Sequence, residues 1–294
     1  MKLDDDGFKN KSLGSLEKMM IDSKGLLWFV NNHWTIPSLY CYQFSTDNIK
    51  AFTTFNNEDG TIVNVGSVRT IAEDKNGDIW IGTNVGPLLL EYTEITKESP
   101  TFIQVKIPRN DGTNYADYLL NNIDITNIAI DGANRKWFGT KSYGIYLISN
   151  NNLEQIQHYT KENSPLLSNE IESIAIDEEK GIVYIGTPNG LCSITTDATI
   201  ANTKVDKNNV WAYPNPVRQE YSGLITITGL SFGSDIKIVS TNGSLVNQGR
   251  SNGGTYTWDG CDLKGRKVSS GIYMVETASN QGEKETVCKI AIIR

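Results

Sequence analysis

The sequence predicts an all-β protein in which a partial or four-bladed β-propeller is followed by an immunoglobulin-like β-sandwich. The first observation is an imperfect repeat of about 50 residues, a period typical of propellers and solenoids. The second is a change, near residue 206, to short strands separated by glycine turns. The third is that no window of about 11 residues carries the apolar stripe of an amphipathic helix. We therefore expect a propeller over residues 1–206 and a sandwich over residues 207–294.

The repeat is marked by an aspartate that an aromatic residue follows. Successive aspartates are 52, 57 and 46 residues apart, and the aromatic residue comes six positions later in three repeats and seven in the last. The four pairs are Asp22 and Trp28, Asp74 and Trp80, Asp131 and Trp137, and Asp177 and Tyr184. The repeats extend near residues 16–62, 66–120, 124–168 and 171–206. Because a propeller blade has about four strands, each repeat has the length of one blade.

Each repeat begins with the pattern of a hairpin. An alternating apolar strand such as 128–130 leads into the aspartate, whose carboxylate can accept backbone N–H bonds in the turn. Gly77 can supply the positive φ that this turn needs, and Asn134 replaces glycine in the third repeat. Further glycines after the aromatic residue predict close backbone approach or a second turn; they are Gly82, Gly86, Gly139, Gly144, Gly186 and Gly190.

The repeated aspartates admit a second interpretation, as a row of calcium-binding or sugar-binding sites. A calcium site needs several convergent oxygens, whereas each of these turns offers one or two. The Asp box of sialidases places its glycine two residues after the aspartate, whereas Gly77 lies three residues after Asp74. We therefore interpret the aspartates as turn-building residues and expect neither a metal nor a cofactor.

The strongest of these repeats runs from Asp74 through Trp80 and Gly82 to Gly86. Its pattern, D-x-x-G-x-x-W-I-G-T followed by G-P, resembles the two-component regulator propeller repeat common in Bacteroidetes. The resemblance covers residues 16–205, although the first repeat departs from it at residues 30–32. Relatives of this repeat generally form larger wheels, so the resemblance implies a fragment of a larger propeller. A closed wheel of four blades is the alternative.

The sequence pattern changes from residue 210 onward. The tail opens with Tyr213-Pro-Asn-Pro216 and continues with turns at Asn242-Gly243 and Lys264-Gly265 and with the string Ser270-Gly-Ile-Tyr273. In this order the motifs resemble the C-terminal sorting or anchoring domain of type IX secretion proteins. A propeller joined to such a tail resembles the C-terminal part of PorZ-like proteins. That resemblance implies a non-enzymatic scaffold that binds other secretion or surface proteins or a glycan, lipopolysaccharide included.

Composition excludes several functions and bears on location. The chain carries 27 basic and 34 acidic residues, a net charge of −7 that disfavours nucleic-acid binding. No apolar run approaches the roughly 18 residues of a membrane span. The first 20 residues lack the apolar core of a signal peptide. Together with the repeats, this predicts the C-terminal fragment of an exported protein at the outer-membrane surface or in the periplasm.

Two aromatic-rich segments are the candidate ligand-binding regions. Trp34, Tyr40 and Tyr42 lie in a loop after a predicted blade strand, where propellers extend loops over one face. Tyr115 and Tyr118 lie in an insertion, 106–122, of the second repeat. Such rings can stack on sugars or anchor a partner protein. Ordinary packing of these rings is the alternative.

No catalytic residue is predicted. The string Gly229-Leu-Ser-Phe-Gly233 matches a nucleophile elbow in letters, but it joins two predicted sandwich strands instead of a strand and a helix. A glycan-active propeller enzyme remains an alternative, as does the ligand-sensing ectodomain of a two-component system. The cysteines form no C-x-x-C pair, so Cys261 and Cys288 could form a disulfide or stay free.

Overall fold

The computed structural model describes residues 16–31, 38–109, 111–113, 115–202, 208–278 and 284–294. Strands dominate these ranges, in which the helical element is a three-residue 3₁₀ turn, Tyr92–Glu94. The predicted all-β class is therefore confirmed. The chain divides into two compact units, one of residues 1–130, 134–176 and 183–194, the other of residues 131–133, 177–182 and 195–294. The predicted boundary at 206/207 lies outside the described residues.

The propeller consists of successive antiparallel sheets. The first sheet has the order β1 (Leu16–Ile21), β2 (Leu26–Asn31), β3 (Ser38–Gln43) and β4 (Asn48–Phe52), and the short hairpin β5 (Phe55–Asn56) and β6 (Ile62–Val63) follows it. The second sheet has β7 (Val68–Glu73), β8 (Ile79–Thr83) and β9 (Gly86–Leu90), and the hairpin β10 (Lys106–Pro108) and β11 (Ala116–Tyr118) comes after it. The third has β12 (Ile125–Ile130), β13 (Lys136–Thr140), β14 (Ile145–Ile148) and β15 (Gln155–Tyr159), and the fourth has β16 (Ser173–Asp177), β17 (Ile182–Thr187) and β18 (Gly190–Thr195). Meandering sheets of this kind are propeller blades; the first and third have the expected four strands, whereas the described second and fourth sheets have three.

Neighbouring blades share hydrophobic clusters, and a tryptophan lies in each. Trp28 packs with residues of the first and second blades, Trp80 with those of the second and third, and Trp137 with those of the third and fourth. All three indoles are fully buried. Burying an aromatic side chain of this size contributes a large share of the hydrophobic stabilisation at each blade contact.

The propeller is partial, and one face of its fourth blade is exposed. Tyr184 opens Y-I-G-T in this blade, as Trp80 opens W-I-G-T in the second. Its side chain is nevertheless 39% exposed, and Leu191 on the adjacent strand is 70% exposed. In the earlier blades the equivalent face packs against the next sheet. The fourth blade presents this face to solvent instead.

Close approach between blades requires glycine at the predicted positions. A Cβ atom added at Gly82 would lie 2.9 Å from Cγ2 of Ile125 and 3.2 Å from its carbonyl oxygen. One added at Gly139 would lie 2.7 Å from Cγ2 of Ile171. Real Cβ atoms essentially never come within 3.0 Å of another heavy atom, so a side chain at either position would force the neighbouring blade to shift.

The second unit contains a β-sandwich of two antiparallel sheets. Its strands are β19 (Trp211–Tyr213), β20 (Ile225–Thr228), β21 (Asp235–Ser240), β22 (Leu245–Arg250), β23 (Thr255–Trp258), β24 (Gly271–Ala278) and β25 (Lys284–Ile292). One sheet has the order β19-β20-β23 and the other β22-β21-β24-β25. Alternate residues of both sheets, such as Ile227, Trp258, Ile238 and Val275, meet in a single core. This arrangement confirms the predicted sandwich.

The Pro-Asn-Pro segment lies along the last strand of the chain. The side-chain amide of Asn215 donates to the Lys289 carbonyl at 2.8 Å, and the Ala291 N–H donates to its Oδ1 at 3.0 Å. The Val217 N–H then donates to the Ala291 carbonyl at 2.8 Å, and the Ile293 N–H to the Val217 carbonyl at 2.8 Å. Strand β25, at the edge of its sheet, is therefore paired on both sides along this stretch.

All four cysteines are free thiols. Cys261 and Cys288 therefore do not form a disulfide in the structure. Burial raises the pKa of Cys41 to about 12 and that of Cys288 to about 11. A thiol with so high a pKa is almost wholly protonated at neutral pH and is a weak nucleophile.

Candidate ligand-binding hairpin

The repeated aspartates organise turns and also hold the aromatic residue of the repeat. Oδ1 of Asp22 accepts the N–H groups of Lys24 and Leu26 at 3.0 and 2.8 Å. Its Oδ2 accepts the indole N–H of Trp28 at 2.8 Å. Both carboxylate oxygens are thus occupied by groups of the same hairpin. The sequence pattern predicted the turn, but it did not predict the bond to the indole.

Asp74 makes the same contacts and one more. Its Oδ1 accepts the N–H groups of Asn76 and Asp78, and its Oδ2 accepts the indole N–H of Trp80 at 3.3 Å. The ammonium of Lys136, on the third blade, lies 3.4 Å from this Oδ2 and 5.5 Å from the centre of the Trp80 ring. The side chains of Lys136 and Asp74 are 0% and 1% exposed. This buried ion pair joins two blades.

The last two aspartates differ in exposure. Oδ1 of Asp131 accepts the N–H of Ala133 at 2.9 Å, and Asp131 is fully buried. Oδ1 of Asp177 accepts the N–H of Lys180, whose ammonium lies 3.0 Å from Oδ2 and lowers the pKa of Asp177. The described ranges hold no cluster of three or more His, Cys, Asp or Glu residues that could bind a metal ion.

The first aromatic-rich segment is only partly described, and the expected loop position is wrong for Tyr40 and Tyr42, which lie on strand β3. Trp34 lies outside the described residues. Tyr40 is 8% exposed, and its ring stacks on Phe29 with 5.2 Å between the centroids. The hydroxyl of Tyr42 donates to Asp47 at 2.6 Å, and this bond raises its pKa. Because the Tyr40 ring is packed within the blade, we leave it out of the site proposed below.

The second segment forms the hairpin β10–β11, and its base is fixed by a polar cluster. The Tyr118 hydroxyl donates to Oδ2 of Asp59 at 2.7 Å. The Lys106 ammonium donates to both oxygens of Asp59 at 2.9 and 2.8 Å and lies 3.4 Å from Glu58. The bond from Lys106 lowers the pKa of Asp59 and raises that of Lys106. The hairpin is thereby tied to the β5–β6 turn.

The end of the hairpin presents a ring beside a cation. Arg109 binds Asp117 across the two strands, with Nε to Oδ2 at 2.8 Å and Nη2 to Oδ1 at 2.5 Å. Its guanidinium carbon lies 5.9 Å from the centre of the Tyr115 ring, and Tyr115 is 69% exposed. The bidentate pair fixes the guanidinium. An exposed ring and a fixed cation can together contact a sugar and an anionic group attached to it.

The structure therefore separates the four described aromatic candidates by their surroundings. The Tyr115 ring is exposed to solvent, and the Tyr40 ring is buried against Phe29. The hydroxyls of Tyr118 and Tyr42 donate hydrogen bonds to the carboxylates of Asp59 and Asp47. Arg109 was missed by the sequence argument. Its signal would have been an arginine and an aspartate at diagonal positions of a predicted hairpin, which requires the strand register to be known.

A shallow groove near the first blade is a weaker candidate. It has a volume of about 340 Å³ and is lined by residues that include Lys50, Thr53 and Glu98. The Lys50 ammonium donates to the carbonyl oxygens of Ile95 and Lys97, the first at 2.8 Å. The cation is thus already bound by the protein, and we do not assign a ligand to the groove.

Two protein-family models match the chain. The model described as "Two component regulator propeller" matches residues 63–85, and the one described as "Secretion system C-terminal sorting domain" matches residues 211–293. Both predicted resemblances are confirmed. Among the curated proteins, none matches the sequence.

The chain is similar to several solved structures. PorZ, a surface component of the type IX secretion system of Porphyromonas gingivalis, is 28% identical over 96% of this chain, with a TM-score of 0.66. The chain spans 39% of the length of that PorZ chain. The extracellular domain of BT3049 of B. thetaiotaomicron, described as a hybrid two-component system, is 16% identical over 98% of this chain and 39% of its own, with a TM-score of 0.44. Virginiamycin B lyase of Staphylococcus aureus is 10% identical over 94% of this chain and 85% of its own, with a TM-score of 0.39. The last two TM-scores are below 0.5, so we draw no conclusion from these two structures.

Within the part of the chain that the structure describes, no helix has the length and apolarity that a transmembrane span requires.

Proposed function

We propose that this protein is a non-enzymatic scaffold of type IX secretion at the cell surface or in the periplasm. Its propeller binds a secretion or surface protein or a glycan, with lipopolysaccharide among the glycans. The observation that carries the proposal is the combination of PorZ-like structure over 96% of the chain with a sorting-domain match over residues 211–293. Each half of the chain resembles proteins that function outside the cytoplasm.

The contacts of the acidic residues support a binding function over hydrolysis. Glycoside hydrolysis needs two carboxyl groups facing one substrate bond. The carboxylates of Asp59, Asp117 and Asp177 are instead each paired with a lysine or an arginine. The hydroxyl of Ser231, in the elbow-like string, lies 2.6 Å from that of Ser234. These groups thus have partners within the protein.

A ligand-sensing ectodomain is the second candidate function. The regulator-propeller match over residues 63–85 favours it, because the description of that family model names two-component regulators. The sorting-domain match favours secretion and covers a longer segment, residues 211–293. We therefore place secretion first.

Deletion of the gene in its own host separates these functions. If the proposal holds, we expect proteins that carry type IX sorting domains to lose their attachment to the cell surface, as measured by immunoblots of surface and medium fractions. Complementation with the intact gene is the control. Normal attachment together with an altered transcriptional response to added polysaccharide would favour the sensor and contradict the scaffold.

Tyr115→Ala tests the hairpin as the binding element. We expect this variant to bind purified host lipopolysaccharide at least about tenfold more weakly in surface plasmon resonance, because an exposed ring at a binding surface often carries much of the contact energy. Its 69% exposure means that truncation leaves no cavity in the core.

Tyr143→Ala is the matched control, since Tyr143 is 55% exposed on the third blade. Arg109→Gln separates ring stacking from recognition of an anion, because it removes the charge beside Tyr115. Equal binding by the Tyr115→Ala and Tyr143→Ala variants would remove the hairpin from the site.

A further inference from the structure

The outer face of the sheet β19-β20-β23 has an unusual composition. Side chains alternate along these strands, and the inward ones, among them Ala212, Ile227 and Trp258, join the sandwich core. The outward positions hold only aromatic residues and threonines; they are Trp211, Tyr213, Thr226, Thr228, Thr255 and Thr257. None of these six side chains carries a formal charge at neutral pH.

The two aromatic rings lie together at the edge of this face. Trp211 is 56% exposed and Tyr213 is 46% exposed. Their ring centroids are 5.0 Å apart, and the ring planes are inclined by 37°. Large exposed aromatic surface is uncommon on a folded domain unless it contacts a ligand or a partner. The pair forms a continuous apolar surface along strand β19.

Rows of hydroxyl groups continue the face away from the rings. Between β19 and β20, Trp211 pairs with Thr228 and Tyr213 with Thr226. Between β20 and β23, Thr226 pairs with Thr257. The hydroxyls of Thr226, Thr228 and Thr257 bond to no other protein group within the described ranges. Each can therefore donate and accept hydrogen bonds toward a ligand.

The platform ends where residues 197–202 pack on the sandwich. The Thr255 hydroxyl donates to the carbonyl oxygen of Asp197, and Thr255 is 2% exposed. The Gly254 N–H donates to the Thr199 carbonyl at 2.9 Å. The exposed part of the face, which we call the Trp–Thr platform, consists of Trp211, Tyr213, Thr226, Thr228 and Thr257.

We propose that the Trp–Thr platform binds an uncharged segment of a polysaccharide. The apolar C–H faces of sugar rings stack on aromatic rings, and their hydroxyls exchange hydrogen bonds with side-chain hydroxyls. Charge supports this ligand over an anionic membrane surface, which would need lysines or arginines. The platform has none, and the chain carries a net charge of −7. The site lies in the sandwich, so it goes beyond the propeller site proposed above and does not depend on it.

Affinity electrophoresis of the full chain in gels that contain mannan, laminarin, dextran or galactan tests the proposal. We expect at least one of these neutral polysaccharides to retard the protein. Trp211→Ala and Tyr213→Ala should each weaken that retardation by about tenfold in apparent Kd, because each removes a ring from the contact. Trp211→Phe keeps a ring and should restore most of the binding.

Phe232→Ala is the matched control, since Phe232 is 47% exposed outside the platform. Circular dichroism melts of each variant show whether the fold is kept. Retardation by none of the four polysaccharides would overturn the proposal, and so would equal retardation of the Trp211→Ala variant and the intact chain.

Two further measurements address other occupants. Sedimentation velocity of the intact chain would reveal a dimer, and flotation with phosphatidylglycerol vesicles would reveal membrane binding. If Trp211→Ala abolished either association while leaving polysaccharide binding unchanged, the platform would be a protein or membrane contact and the proposal would be wrong.

Discussion

Asp74→Ala is expected to lower the free energy of unfolding by about 3–5 kcal/mol, because it removes the Asp74 carboxylate that faces the buried Lys136 ammonium. The carboxylate accepts two backbone N–H groups and the Trp80 indole N–H in addition to facing this cation. All of these donors lose their acceptor together. Urea unfolding followed by tryptophan fluorescence gives the difference.

Asp177→Ala is the matched control at the same position of the fourth repeat. Its partner Lys180 is 70% exposed and can be solvated when the carboxylate is removed, so we expect a much smaller loss of stability. The double variant Asp74→Ala/Lys136→Met removes both charges and should recover part of the stability lost in Asp74→Ala. Equal losses in the Asp74→Ala and Asp177→Ala variants would contradict the assigned role of the buried pair.

Gly144→Ala is expected to destabilise the protein by more than about 3 kcal/mol, for two reasons that act together. Gly144 has a φ of +75°, where a side chain strains the backbone. A Cβ atom there would also overlap the carbonyl oxygen of Tyr159, which ends the outer strand of the same blade. Backbone groups cannot move aside without breaking the sheet.

Gly25→Ala separates these two reasons. Gly25 has a similar φ of +82°, but a Cβ atom would meet nothing within 4 Å. This variant should therefore show only the backbone strain, a loss of about 1 kcal/mol. Both variants can be compared by urea unfolding. A loss in the Gly144→Ala variant no larger than that in the Gly25→Ala variant would show that the blade adjusts to the added methyl group.

The architecture could be predicted because it repeats. Each aspartate-led turn and each aromatic residue recurs at nearly the same interval, so one blade's pattern supports the next. The burial of the fourth aromatic residue could not be predicted this way. Tyr184 has the repeat's sequence, but its exposure depends on whether another sheet lies against it, and a local pattern does not contain that information.

The candidate site was less predictable than the fold. The one-letter sequence does not show whether an aromatic residue faces solvent, as Tyr115 does, or lies on a strand and stacks within a blade, as Tyr40 does. The roles of Arg109 and Lys136 depend on strand register and on contacts between blades. The sequence shows that Trp211 and Tyr213 are alternate residues and so share one face of a strand. It does not show that this face points to solvent, because that follows from the packing of Ala212 in the sandwich core.

The amide of Asn215 has a consequence for how this molecule behaves in crowded surroundings. An unpaired strand at a sheet margin is a template on which a second polypeptide can grow an intermolecular ladder. Here the margin at Lys289 and Ala291 is already occupied by the protein's own amide and by Val217. The sheets of neighbouring copies therefore cannot pair edge to edge along this stretch, which removes one route to aggregation.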